Sequence, residues 1–327
     1  MARIAVTDGM AEDAVAMLEE AGHEVVTAHI PESELLSGGL SDFSAIIIRS
    51  ATKLTQEVIA ANSHLQVIGR AGVGVDNIDI SAATNFGIMV VNAPRASTNS
   101  VVELTIAHLL ACVRKVSASD RGLRAGKWEK KLMQGTELNG KILGLIGFGR
   151  IAQGVASVAK GLGMRVMAYD PYVPAKIARE HGVRLLSRVD DIFSNCTHIS
   201  IHCNLTEETY HLVNSERIAM MPGRSPNGII CGNHIINCAR GGIVDEEDAF
   251  SALESGNLSS LALDVFEHEP VSPDHPLLAH HAFHGTPHIG AATLEAQRRV
   301  GLDIAAEIIT ALEGRLPSNL LNSDFNK

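Results

Sequence analysis

Short apolar runs separated by polar turns set the rhythm of this chain from its start: RIAVTD at 3–8, EVVTA, AIIIRS at 45–50, QVIGRAG at 66–72 and IMVVNAP. Between them lie stretches of helical spacing, the first near 10–21. Strand, turn, helix and strand again is the pattern of a parallel sheet with crossover helices. Residues 98–117 predict one long helix whose apolar positions, Val101, Val102, Leu104, Ile106, Leu109, Leu110 and Val113, are too dense for a single face. Such density implies burial between domains or between subunits. A second strand-helix series begins at KILGLIG (141–147) and continues through RVMAYD (165–170), HISIHC, HIINCAR, LALDVF and AFHGTPH.

The class that follows is α/β, with two doubly wound parallel-sheet domains. A last helix at roughly 292–313 follows the final strand of the second series, and endings of this kind often return to the first unit. The expected division is a discontinuous domain of 1–98 plus 290–327 and a second domain of 99–289.

Composition narrows the function classes. With 327 residues, 46% hydrophobic and 20% charged, the chain can bury a large core, which agrees with two domains. A net charge of -10 without a Lys/Arg block argues against a polyanion-binding surface, so no nucleic-acid partner is expected. No apolar run approaches the ~20 residues of a membrane helix, and no membrane partner is expected. The five cysteines form no CxxC pair, and the start MARIAVTDGMAEDAV lacks a basic segment followed by an apolar one. Reduced thiols in a cytoplasmic protein are the simplest expectation. An anionic substrate must then be captured by a few local arginines against the overall field.

The segment GLIGFGRIAQGVA places Gly147, Gly149 and Ala152 in a GxGxxA arrangement where a strand ends and a helix begins. Gly147 permits the tight turn, Gly149 lets backbone N–H groups approach a pyrophosphate, and Ala152 keeps helix and strand close. Asp170 ends the next strand, 21 positions beyond Gly149, where the hydroxyls of an adenosine ribose need an acceptor. A carboxylate there also repels a 2′-phosphate, which selects NAD over NADP. The plainer alternative is that Asp170 caps the segment that opens at Pro171.

Three residues stand at the C-terminal ends of predicted strands: Arg240 in INCARGG, Glu269 in LDVFEHEP and His288 in GTPHIGAAT. Ligands of open α/β sheets bind along that edge. Singly, Arg240 reads as a surface ion pair, Glu269 as a loop acid before Pro270, and His288 as one of 15 histidines. Together they supply what oxidation of a 2-hydroxy acid requires. Arg240 grips the carboxylate, His288 takes the hydroxyl proton, and Glu269 fixes the tautomer of His288 and stabilises its charged form. His280, His281 and His284 lie in a Pro- and Leu-rich stretch with neither HExxH nor a Cys partner at zinc spacing, so they read as surface histidines and no metal is expected.

These motifs, with GRAGVGVDNIDI (69–80), GKWEKKLMQGTELNGKILGLIGFGRIA (126–152), INCARGGIVDEEDA (236–249), LALDVFEHEP (261–270) and TPHIGAAT (286–293), carry a resemblance. Over essentially its whole length the chain resembles the D-isomer-specific 2-hydroxy acid dehydrogenases. The resemblance implies a flavodoxin-like substrate domain and a Rossmann NAD-binding domain. By its motifs the family's catalytic arginine, glutamate and histidine fall on Arg240, Glu269 and His288. It implies further cofactor contacts from Arg150, Ile151, His202, Thr206, Ala239, Asp264 and Gly290, beside Gly147, Gly149, Asp170, Arg240 and His288. Substrate contacts are implied for Arg49 and Ser50 in the stretch to Thr52, and for Arg70, Gly72 and Val73 in the stretch to Asn77, joined by Arg240 and His288. Arg70, with Arg49, becomes the candidate for a substrate phosphate.

What the resemblance implies for function is NAD-dependent oxidation of 3-phospho-D-glycerate to 3-phosphohydroxypyruvate, the first step of serine biosynthesis. Glyoxylate or hydroxypyruvate reduction is the sister specificity, and an NAD-sensing corepressor-like binding protein is the alternative from another class. Asn99 and Glu103 fall where the family's first interdomain helix starts. A homodimer or dimer-based homo-oligomer through this helix and the arm near Trp128 is implied, as is a cleft that closes on hinges near 98–100 and 289–294. There are two departures. RSPNGIICGNHII, between Gly223 and Asn237, carries roughly nine residues more than a usual helix-to-strand turn, at the sheet edge away from the chemistry, and puts the local strand register in doubt. The short stretch after the last helix leads one to expect a short or truncated form without C-terminal regulatory domains.

Overall fold

The computed structural model describes residues 1–325, so the last two residues of the expected 290–327 segment lie outside the described residues. Contacts divide the chain into two compact units, Met1–Ser97 with Ala291–Lys327 and Thr98–Gly290.

The first unit is built on five parallel strands: β1 (Arg3–Val6), β2 (Glu24–Thr27), β3 (Ala45–Ile48), β4 (Val67–Arg70) and β5 (Met89–Asn92). Their order is β2-β1-β3-β4-β5, the flavodoxin-like order, with a reversal between β1 and β3. β3 reads AIII and is buried throughout, as expected of a strand covered on both faces. One face is closed by Leu35, Leu40, Val58 and Ile59, the other by Leu18, Val300, Ile304 and Ile308. The last three belong to the helix Leu294–Leu312, which packs on β4 and β5. Gly69 makes that approach feasible, since a Cβ there would lie 3.0 Å from Ile308.

The second unit holds seven parallel strands: β6 (Ile142–Ile146), β7 (Arg165–Tyr169), β8 (Arg184–Leu186), β9 (His198–Ile201), β10 (His234–Asn237), β11 (Ser260–Leu263) and β12 (Phe283–Gly285). The order β12-β11-β10-β9-β6-β7-β8 reverses between β6 and β9, which is the Rossmann arrangement and its ligand-binding switch point. Ile199, Ile201, Ile235 and Leu261 have no exposed surface, and burial of such a side chain contributes about 1.5–3 kcal/mol.

Three local features differ from the sequence expectation. The helix expected over 98–117 is two helices, Thr98–Arg114 and Val116–Arg124, because Lys115 adopts the left-handed conformation with φ +53°. The apolar density of the first is taken up by its own unit: Val102, Ile106, Leu109, Cys112 and Val113 cover that unit's sheet, while Leu110 on the far side is exposed. β8 was not expected at all, since a three-residue edge strand with Arg184 exposed and Leu185 and Leu186 half-buried leaves little apolar signal. Among the three histidines expected at the surface, His284 lies in β12 and is only 3% exposed, because the strand is covered on both faces there, with the neighbouring Phe283 equally buried.

The long segment before β10 folds into a small turn, with an antiparallel bridge between Arg224 and Ile230 and a hydrogen bond from Ser225 N to Ile229 O at 2.9 Å. It enters β10 at the end opposite Arg240, and β10 keeps an unbroken register with β9, from His234 against His198 to Asn237 against Ile201.

Candidate active site

The residues singled out in the second unit lie on the loops that leave the C-terminal ends of strands, or in the first turn of the helix that follows, as Arg150, Ile151 and Ala152 do. After β6 the chain turns at Gly147, with φ +89°. A Cβ there would fall 2.7 Å from the His202 carbonyl, so only glycine permits this contact across the switch point. Gly149 caps the helix Arg150–Gly161 without any side-chain cap, and a Cβ on it would meet nothing within 4 Å. That helix start carries no side-chain cap and has room beside Gly149, which suits a pyrophosphate. Ala152 is fully buried, as the close helix-strand approach demands. Arg150 is exposed at the helix start and Ile151 packs against the core.

Asp170 serves two local purposes. One carboxylate oxygen accepts from Phe148 N at 2.8 Å and the other from Tyr172 N and Val173 N at 2.9 and 3.1 Å. It thus ties the glycine turn to the end of β7 and caps the segment after Pro171. A carboxylate has about four acceptor positions, so capacity for a ribose hydroxyl remains. Open space above Gly149 and an acceptor at Asp170 fit a dinucleotide. The ring of His202 turns inward to Ser200 Oγ at 2.9 Å, and burial lowers its pKa to about 3, so it is neutral. Thr206 lies in an exposed turn closed by Thr209.

Arg240 follows β10. The buried Asn237 shapes its loop, donating to Arg240 O at 2.8 Å and accepting from Ala239 N at 2.9 Å, and Arg240 Nη1 donates to Ala239 O at 2.7 Å. Glu269 and His288 come from the loops after β11 and β12 and meet, with His288 Nδ1 at 2.7 Å from Glu269 Oε2. A carboxylate oxygen only accepts, so Nδ1 carries the hydrogen and Nε2 is the nitrogen left for substrate. Glu269 Oε1 accepts from Phe266 N at 3.1 Å. Burial pulls Glu269 upward, but the hydrogen bonds from His288 and Phe266 and the charges of His288 and Arg240 hold it below the usual value. For His288 the hydrogen bond to Glu269 dominates and raises the pKa above 6.5 against the opposing effect of burial. The charges of Glu269 and Asp264 act in the same upward sense, while Arg240 acts downward.

The backbone of His288 is itself unusual, with φ +52° in a residue that is not glycine, a conformation costing about 1–2 kcal/mol. Asp264 holds it there. Its buried carboxylate accepts from Ile289 N and Gly290 N, each at 2.8 Å, and from Thr286 Oγ1 at 2.6 Å. His108 Nε2 contacts the same hydroxyl at 3.0 Å. Asp264, picked out as a cofactor contact, thus turns inward and shapes the loop that presents His288 and Gly290.

In the first unit Arg49 and Ser50 follow β3, and Arg70, Gly72 and Val73 end β4 or follow it. Asp8 organises the first of these loops, accepting from Arg49 N at 2.7 Å, Thr52 N at 3.1 Å and Thr52 Oγ1 at 2.7 Å. Asn77 donates to Arg49 O and Thr52 O at 2.7 and 2.6 Å. Arg70 Nη1 donates to Ala71 O at 3.2 Å and crosses directly above Gly72, where any Cβ would collide with it. Asp8, Asn237 and the inward role of Asp264 were not foreseen. The signal for Asp8 was available, because an acid closing the first strand in RIAVTD sits on the same C-terminal edge as Arg49.

Comparison with known proteins shows the family. Residues 106–290 match the family described as D-isomer specific 2-hydroxyacid dehydrogenase, NAD binding domain. A D-3-phosphoglycerate dehydrogenase of Methanocaldococcus jannaschii is 44% identical over 98% of this chain, and the match spans 60% of that protein, so the chain is markedly shorter than this relative. A hydroxypyruvate reductase of Thermotoga maritima is 42% identical over 95% of this chain and 98% of its own length. Among solved structures, the NAD+-bound 3-phosphoglycerate dehydrogenase of Entamoeba histolytica superposes with a TM-score of 0.80 at 29% identity, covering 98% of this chain and 99% of that one.

Proposed function

Because the chain belongs to the D-isomer specific 2-hydroxyacid dehydrogenase family, we propose that it oxidises 3-phospho-D-glycerate to 3-phosphohydroxypyruvate with NAD+ as acceptor, the first step of serine biosynthesis. The observation that carries this reading is the 2.7 Å hydrogen bond between Glu269 and His288 in the field of Arg240. A nicotinamide bound on this edge would supply the acceptor for the hydride of C2. His288 Nε2 receives the hydroxyl proton as the carbonyl forms, and Glu269 stabilises the imidazolium that results. Arg240 pairs with the carboxylate, orients C2 and polarises its oxygen. Asp170 selects NAD, Gly147 and Gly149 admit the pyrophosphate, and Arg150, Ile151, His202, Thr206, Ala239 and Gly290 complete the cofactor wall, His202 through its backbone.

Arg70 and Arg49, with Ser50, Gly72 and Val73, are assigned to the phosphate and its surroundings, because a phosphate requires cations beyond the one on the carboxylate. The expected domain assignment, substrate binding in the discontinuous unit and NAD binding in the other, belongs to the same proposal. A second reading, hydroxypyruvate reduction, is favoured by the match to the Thermotoga maritima protein along almost its whole length. NADH formation at 340 nm decides between them. Turnover with 3-phosphoglycerate at least about tenfold above D-glycerate, reading a phosphate contact of about 1.4 kcal/mol or more, is the expected result. Faster NADH consumption with hydroxypyruvate than with its phosphate ester would move the enzyme to the sister specificity.

The described residues contain no helix long and apolar enough to cross a membrane. All five cysteines are free, which supports the expected reducing, cytoplasmic setting. We assign a homodimer formed through the helix and arm that carry the exposed Val116, Leu123, Trp128 and Leu132. Light scattering should give twice the 34.8 kDa chain mass, and a monomer at micromolar concentration would refute this assignment.

A further inference from the structure

Glu269 does not stand alone on its turn. Two positions earlier, Glu267 Oε1 accepts from His211 Nε2 at 3.0 Å and from Glu246 N at 3.3 Å, while Glu267 N donates to Glu246 Oε1 at 2.7 Å. The other ring nitrogen of His211, Nδ1, lies 3.0 Å from Asp245 Oδ2. Both partners only accept, so the two contacts are complete when both ring nitrogens carry hydrogen. His211 is thus held between two carboxylates. Its ring is stacked on Tyr210 with centroids 3.9 Å apart, and its φ of +49° lies in the left-handed region.

The backbone of His211 reaches a second functional stretch. His211 N donates to Gly242 O at 2.8 Å, and Val213 N to Ile243 O at 3.0 Å, which joins this segment to the residues that follow Arg240. Gly241 lies so close to the next loop that a Cβ on it would fall 1.8 Å from Phe266 O. The stretch carrying Arg240 and the turn carrying Glu269 are thus in direct contact, and His211 is bonded to both.

We propose that His211 is a positioning residue of the dehydrogenase centre: held between Asp245 and Glu267, it locks the turn from Phe266 to Glu269 against the Arg240 stretch and so fixes the Glu269 carboxylate on His288. The charged groups facing it are Asp245 and Glu267, with Glu246 behind Glu267, where His275 Nε2 pairs with Glu246 Oε2 at 3.0 Å and His268 adds its field. Without His211 three carboxylates crowd one half-buried site, where repulsion is stronger than in water. Glu267 then swings away, its bond to Glu246 N breaks and the turn loosens, weakening the hydrogen bond that favours the charged ring of His288.

The inference rests on the proposed reaction only for its activity readout, so the test uses two measurements. Nitrogen-15 NMR titration of the His288 ring in the NADH-bound enzyme should place its midpoint lower in His211→Leu than in wild type, by about half a unit or more. In turnover kcat should fall on the order of tenfold, with the KM for NAD little changed. His211→Gln can donate to only one of the two carboxylates and leaves the charge of Glu267 in place, and should shift the midpoint in the same direction. It decides the question if His211→Leu does not fold. An unchanged His288 titration in a folded variant would overturn the positioning role and leave His211 a stabiliser of the fold. A wild-type enzyme inactive on every 2-hydroxy acid would overturn the reaction, and the titration would still decide the role of His211.

Discussion

His288→Asn should lower kcat by about 10³-fold in both directions while leaving NADH affinity, read by fluorescence titration, within about threefold of wild type. The asparagine side chain keeps a polar group near Glu269 and removes the proton-accepting nitrogen. The loop survives because its grip comes from Asp264 on Ile289 N and Gly290 N, not from the imidazole. A variant with near-normal turnover would end the assignment of His288 as proton acceptor.

The same residue sets the pH dependence. Oxidation needs neutral His288, so kcat/KM for oxidation should rise with pH through a midpoint above 6.5, and kcat/KM for reduction should fall through that midpoint. The sign follows from the causes: the bond to Glu269 favours the charged ring, so more base must be added before the ring can accept a proton. Glu269→Gln withdraws that support and should move both limbs towards lower pH. An unmoved limb would mean that the profile reports another group.

The second large effect is expected at Arg240. Two charge-assisted hydrogen bonds to the substrate carboxylate, at about 1.5–3 kcal/mol each, amount to about 3–6 kcal/mol, or 10²–10⁴ in kcat/KM. Arg240→Gln should lose most of that. Arg240→Lys should recover only part, because an ammonium cannot present the paired donors of a guanidinium. Asn237 holds the loop through Arg240 O and Ala239 N, so both variants should fold. Steady-state kinetics with the hydroxy acid varied would test this. A loss confined to kcat, with KM unchanged, would show that Arg240 does not hold the carboxylate in the ground state.

The alternation of apolar runs and helical stretches determined the α/β class and the two parallel sheets, because strands buried on both faces must be apolar along their length, as β3 and β6 are. It also carried the glycine turn, since a positive φ beside the His202 carbonyl leaves only glycine at 147. The acid at the end of β7 and the three residues on strand ends were legible for the same reason: each is placed by its own strand. Tertiary structure alone decided the rest. Glu269 and His288 are 19 positions apart and meet only because β11 and β12 are neighbours. His211 and Glu267 are 56 positions apart and have no shared period in the sequence. Lys115 breaks a helix that its neighbours favour, and Asp264 turns its carboxylate inward to two backbone N–H groups that no pattern announces. Periodicity records which face of an element is buried, whereas a hydrogen bond between loops depends on where the finished sheet sets their ends.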